Sequence, residues 1–112
     1  MQIDTIKERA SFVRLNGMGK FVVSSFILQM GENPKLSSNQ LRIGYTVTKK
    51  MGGAVVRNRI KRRLREAVRA KLIEYGKGGH DYVLIARHKA RTCDFIELER
   101  EMQFAFSRIK AK

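Results

Sequence analysis

Apolar and polar positions alternate most cleanly in LRIGYTVT, residues 41–48. Leu41, Ile43, Tyr45 and Val47 share one side and Arg42, Gly44, Thr46 and Thr48 the other, the period of a strand with one face on a core. KFVVSSFILQM, 20–30, is dense in Phe, Val and Ile and predicts strand too, with Ser24-Ser25 marking a bulge or a split into two short strands. DYVLIAR, 81–87, is the short apolar run of a buried strand. Helical spacing governs the rest. In TIKERASFVRL, 5–15, Ile6, Ala10, Val13 and Leu15 recur near that spacing, Asp4 or Thr5 can cap the start, and Asn16-Gly17 stops the run. Over 94–110, Phe95, Leu98, Met102, Ala105, Phe106 and Ile109 recur at three and four behind Asp94 as N-cap. Glycine- and proline-bearing stretches at 31–40, 49–55 and 76–80 separate these elements. The order is helix, two or three strands, helix, strand, helix. It predicts one α+β domain of 112 residues, a single sheet with helices, with a crossover unit over 41–87.

The strongest helix spans 57–75. At about 100° per residue, Ile60, Leu64, Ala67, Val68, Leu72 and Tyr75 fall on one side. Asn58, Arg62, Arg65 and Arg69 fall on the other, flanked by Lys61, while Arg57 lies toward the apolar side of the helix entrance. The basic run is therefore no tail: an apolar stripe pins it to a sheet and the opposite stripe points guanidiniums outward. Solvated helix faces usually mix Glu with Lys. Here Lys49, Lys50, Arg57, Arg59, Lys61, Arg62, Arg63, Arg65, Arg69 and Lys71 meet Glu66 alone. Such unpaired like charges strain a helix, and a polyanion relieves the strain.

Composition sharpens this picture. The chain carries 24 Lys+Arg against 10 Asp+Glu, a net charge of +14, with 43% hydrophobic residues, enough for a core. That surplus attracts polyanions, nucleic acid first. Planar guanidiniums suit phosphate, and Asn58 offers both donor and acceptor to a base edge or a 2′-hydroxyl. A membrane-surface helix would need apolar bulk that is not already committed to a core, so no membrane partner is expected. Cys93 is the sole cysteine, and no segment has the apolar length of a signal peptide or a membrane span; the expectation is a cytoplasmic protein.

Other chemistry is thin. Phe12, between Arg9 and Arg14, suits either a stacked base or an ordinary core position. Gly52-Gly53 suits either a phosphate-binding backbone or a tight turn into the helix. His80-Asp81 lacks the further His and Asp partners of a metal phosphohydrolase. No nucleophile–base set and no magnesium-holding carboxylate pair is present, so catalytic and metal-ligating residues are expected to be none.

TKKMGGAVVRNRIKRRLREA, 48–67, resembles the signature of the bacterial ribonuclease P protein subunit: Lys-Lys, a Gly, Ala-Val, Arg-Asn-Arg, Lys-Arg and a later Arg, matched in register by Arg57, Asn58, Lys61, Arg62 and Arg65. SFV, FIL, LRIGYTV and DYVLIAR follow the family order, so the resemblance covers nearly the whole chain. It implies about four strands and three helices in the order α-β-β-β-α-β-α, with a left-handed crossover, as in the ribosomal protein S5 domain 2-like fold. It also implies a function: assisting a catalytic RNA subunit to remove the 5′ leader of precursor tRNA, with Mg2+ held mainly by the RNA, the protein inactive alone, and no obligate protein partner. Lys49, Lys50, Arg57, Asn58, Arg59, Lys61, Arg62, Arg65 and Arg69 would contact the RNA subunit. Phe12, with Arg42, Thr46 and Thr48 on the outward side of their strand, would hold the leader. Asn16 stands where the family often has a second aromatic and Gln29 where a Tyr is common, so hydrogen bonding would replace some stacking there.

Overall fold

The computed structural model describes residues 1–110. Its elements are β1 (Gln2–Thr5), α1 (Arg9–Arg14), β2 (Gly19–Val22), β3 (Phe26–Glu32), β4 (Gln40–Thr46), a 3-10 turn (Lys49–Met51), α2 (Ala54–Tyr75), β5 (His80–Ala86), α3 (Lys89–Thr92) and α4 (Phe95–Arg108). One five-stranded mixed sheet has the order β1-β4-β5-β3-β2. β1, β4 and β5 run parallel, while β3 is antiparallel to both β5 and β2. β4 and β5 are neighbours joined through α2, which is the crossover the alternating pattern predicts.

The main core lies between the sheet and the two long helices. Phe26, Leu28, Met30, Leu41, Ile43, Tyr82 and Leu84 meet Ile60, Leu64, Ala67 and Val68 of α2 and Leu98, Met102, Ala105 and Phe106 of α4, all buried. Alternation in the strands and the 3.6-residue period in the helices supply these faces. Truncating a fully buried leucine such as Leu64 to alanine would cost about 2–5 kcal/mol. Leu72, which the periodicity also puts on this stripe, has its side chain outside the described residues. The Ser24-Ser25 split is real: β2 and β3 form a hairpin tied to α4 by Glu101, which accepts from the Ser25 N–H at 3.0 Å and its Oγ at 2.6 Å.

The start of the chain departs from the expected pattern. Residues 2–5 form a strand paired in parallel with Gln40–Ile43, so there are five strands and not about four. Asp4 and Thr5 lie in that strand and cap nothing, and Ile6 lies in an extended link whose N–H donates to the Ile43 carbonyl at 2.9 Å. Helix α1 shrinks to six residues behind Glu8. Backbone pairing on an open sheet edge outweighs the propensity of a helix too short to stand alone. The short α3 is a further helix beyond the three expected. Gly17, at φ +84°, ends the α1 segment in the left-handed conformation.

On its other face the sheet carries three cross-strand rows over β4, β5 and β3: Arg42–Asp81–Gly31, Gly44–Val83–Gln29 and Thr46–Ile85–Ile27. α1 lies over the first two, packed through Ile6, Leu15, Val83 and the half-buried Phe12.

Candidate RNA interface

Two surfaces carry the sequence-predicted residues. The first is the outer face of α2. Asn58, Arg59, Arg62, Arg65 and Arg69 are exposed, opposite buried Ile60, Leu64, Ala67 and Val68. The ion pairs among the described residues all involve Arg14 or Arg42, and none involves α2. The ridge thus presents guanidiniums in no ion pair, with Glu66 the one acid among them. Lys49 and Lys50 extend it, exposed on the 3-10 turn that Met51 anchors in the core. Gly52 there has φ +138°, and a Cβ on it would come within 3.0 Å of Val56, so this position is a tight turn into the helix. No acid occupies the first turn of α2, leaving the positive end of its dipole to add to these lysines. Arg57 is half-buried, its Nε without a hydrogen-bond partner. Arg63 does a different job: it turns inward and donates to the carbonyls of Ala90 at 2.8 Å, Arg91 at 3.0 Å and Cys93. It satisfies carbonyls at the end of α3 that no helical N–H reaches.

The second surface is a cleft of about 530 Å³ between α1, the sheet and the entrance of α2. Phe12, Asn16, Gln29, Thr46 and Lys61 line it, with Lys7, Arg9, Val13, Val83 and Ile85. Phe12 is half-buried: its ring rests against the backbone of Gly44, where a Cβ would stand 2.6 Å from Cζ, and it also lines the cleft. Gly31 does the same for Leu15, at 2.6 Å. Asn16 and Gln29 lie beside one another, the Gln29 amide donating to Asn16 Oδ1 at 3.4 Å. Tyr45 lines the cleft from the α2 side; burial pushes its hydroxyl up to about 12, against the pull of Arg65 and Arg69.

Two residues predicted for leader contact sit elsewhere. Thr48 is exposed at the start of the 3-10 turn, its carbonyl accepting from the Met51 N–H, and it does not line the cleft. Arg42 shares the outward face of β4 but its guanidinium is drawn off by acids: Nε and Nη2 donate to Asp81 at 2.9 Å each, and Nη1 to Glu8 at 3.1 Å. Asp81, fully buried, also accepts from Arg14 at 2.6 Å and Asn33 at 3.1 Å. Burial drives the Asp81 pKa up, but the bonds and charge of Arg42, with Arg14 and Asn33, prevail and hold it below the usual carboxylate value. That carboxylate is therefore spent on guanidiniums, and its neighbour His80 faces the Gly78 carbonyl at 2.7 Å. Among the described residues no three His, Cys, Asp or Glu side chains gather as a metal cage.

Sequence periodicity missed Lys7, Arg9, Ile85 and the role of Asp81. Gly31 and Gly44 were the available signal, because a glycine inside an otherwise bulky strand marks a close approach by another element.

Unpaired arginines beside an aromatic-edged cleft define a basic nucleic-acid-binding domain. Residues 2–110 match the family described as Ribonuclease P. The chain is 35% identical to the ribonuclease P protein component of Paramagnetospirillum magneticum over 98% of its own length and 85% of that protein. It is 44% identical to that of Gluconacetobacter diazotrophicus, over 88% and 84% of the two. Among solved structures, the RNase P protein of Thermotoga maritima matches with a TM-score of 0.79 at 25% identity, over 96% of this chain and 98% of that one. The Staphylococcus aureus RNase P protein matches with a TM-score of 0.76 at 26% identity, over 90% of each. The chain belongs to the ribonuclease P protein family, and so to the components of an endoribonuclease complex.

Proposed function

We propose that this chain is the RNA-guiding subunit of ribonuclease P: the α2 ridge holds the catalytic RNA, and the cleft holds the single-stranded 5′ leader of precursor tRNA. The observation that carries this reading is the exposed row Arg59, Arg62, Arg65 and Arg69, none of them in an ion pair, on the helix whose Lys61 lines the cleft edged by Phe12. Guanidiniums neutralise phosphates and release counterions. A half-open aromatic ring stacks on bases with little regard to sequence, which suits leaders of varied sequence. Asn16, Gln29 and Thr46 offer donors and acceptors beside the ring, and Lys7, Arg9 and Lys61 offer charge to its phosphates.

The reaction assigned to the complex is phosphodiester hydrolysis with magnesium, which supplies charge neutralisation at the scissile phosphate. Among the described residues no three His, Cys, Asp or Glu side chains gather to hold such an ion; in this proposal the RNA holds the metal and the chain acts by binding and orienting. Precursor tRNA is incubated with the chain alone, the RNA subunit alone, and both, at low and high magnesium. Cleavage by the pair at low magnesium, by the RNA alone only at high magnesium, and none by the chain alone is the expected pattern. A general RNA chaperone would show no preference for leader-bearing tRNA, and a free-standing nuclease would cut without the RNA subunit; either result overturns the proposal.

A further inference from the structure

None of the six residues of α1 is fully buried; its apolar anchors are the half-buried Phe12 and Leu15, the buried residue that follows it. Polar ties flank it as well. Arg14, in its last turn, reaches Asp81 at 2.6 Å and the Glu32 carbonyl at 3.1 Å. Arg42 reaches Asp81 through Nε and Nη2, and it holds the start of α1 through Nη1 to Glu8 at 3.1 Å and through the shared Nη2 to Ser11 Oγ at 3.2 Å. Asp81 is the hub: 0% exposed and directly opposite Arg42 in the β4–β5 pairing. One row further along the same strands, Gly44 and Val83 lie beneath Phe12. The hub and the ring are thus adjacent rungs under one short helix, and what fixes the first aims the second.

A buried ion cluster is weak evidence for stability as such, since apolar replacements often match it. What it does supply is direction: charged hydrogen bonds are short and oriented where apolar contacts slide. We propose that Asp81 is a positioning residue for substrate choice, setting through Arg14 and Arg42 the stance of Phe12 over the cleft and hence the preference for tRNA that still carries a 5′ leader. This rests on the reading of the cleft as the leader site.

The test uses the holoenzyme reconstituted with its RNA subunit and measures affinity for precursor and for mature tRNA; their ratio isolates the leader. Phe12→Ala lowers that ratio about tenfold, the scale of one lost base–aromatic stack. Asp81→Asn lowers it about threefold or more, and in the Phe12→Ala background it lowers it no further, because a residue that acts through the ring has nothing left to aim. Affinity for the RNA subunit stays within about twofold. Arg14→Ala removes one spoke at a 40%-exposed side chain; it moves the ratio the same way and decides the matter if Asp81→Asn does not fold. An unchanged ratio in these variants, a loss that adds to that of Phe12→Ala, or an equal loss of RNA-subunit affinity overturns the inference alone. A ratio that Phe12→Ala fails to move overturns the leader site as well.

Discussion

Along α2, Arg59, Arg62, Arg65 and Arg69 stand in solvent in no ion pair, with Glu66 the one acid among them; beneath α1, Arg14 and Arg42 close on Asp81, with Glu8 joining the latter. One residue type thus serves two ends, and the placement of a few carboxylates decides which. Where no acid pairs with it, the guanidinium keeps its charge for a polyanion and the local field stays high. Where an acid is buried among them, the charge is used up inside the fold and the fork geometry becomes a brace. The net charge of +14 is therefore not one reservoir, and only part of it is offered to RNA.

The sharpest way to break this contrast is to remove its pivot. Asp81→Ala strands two guanidiniums around a buried gap and should lower unfolding stability by about 3 kcal/mol, the low end for a broken buried pair because both arginines keep some solvent; urea melts measure it. The ridge should behave oppositely. Arg62→Ala with Arg65→Ala should change stability by less than about 0.5 kcal/mol, yet weaken RNA-subunit binding about tenfold and flatten the log–log salt dependence by about 0.7–0.9 per charge removed. Equal loss of stability from the two sets would erase the distinction.

Acid should separate the regions next. The Asp81 and Glu101 carboxyls are both held below their ordinary values, burial opposing and their hydrogen-bond partners prevailing. A depressed carboxyl contributes stability that is full above its unfolded value, about pH 4, and is lost as pH falls through the folded value. Thermal melts should therefore be flat from about pH 7 to 5 and fall below about pH 4, and the Arg62, Arg65 double variant should show the same profile. The smallest effect is expected from Gly44→Ala. Its Cβ would meet Phe12 at 2.6 Å, so the ring must shift. About 1 kcal/mol of stability is expected to go, with weaker discrimination for leader-bearing tRNA and RNA-subunit binding intact.

The main core and the ridge were legible because both are written in strict periods: two in LRIGYTVT, three and four in α2 and α4, over runs long enough for the period to declare itself. β1 was not, because four residues with Ile3 as their one aliphatic position carry no period, and the strand exists only through backbone pairing with β4. Arg42 looked available to a leader because its face was read correctly while its partner, Asp81, lies 39 residues away. Charge neutralisation across such a separation leaves no local trace. The cleft was half legible: Phe12, Asn16, Gln29 and Thr46 do converge, whereas Lys7 and Arg9 join them only once the first strand has set where the helix begins.

Arg63 bears on how mutational surveys of this chain should be scored. It sits one position from Arg62 in a run of cations, yet it staples the α3–α4 corner to α2 through three peptide oxygens. A scan that reads only cellular fitness would rank Arg62 and Arg63 alike, one for lost grip on RNA and the other for a loosened hinge between helices. Lysine in place of Arg63 would keep the charge and forfeit the fork, so that conservative swap is the one that tells a staple from a hook.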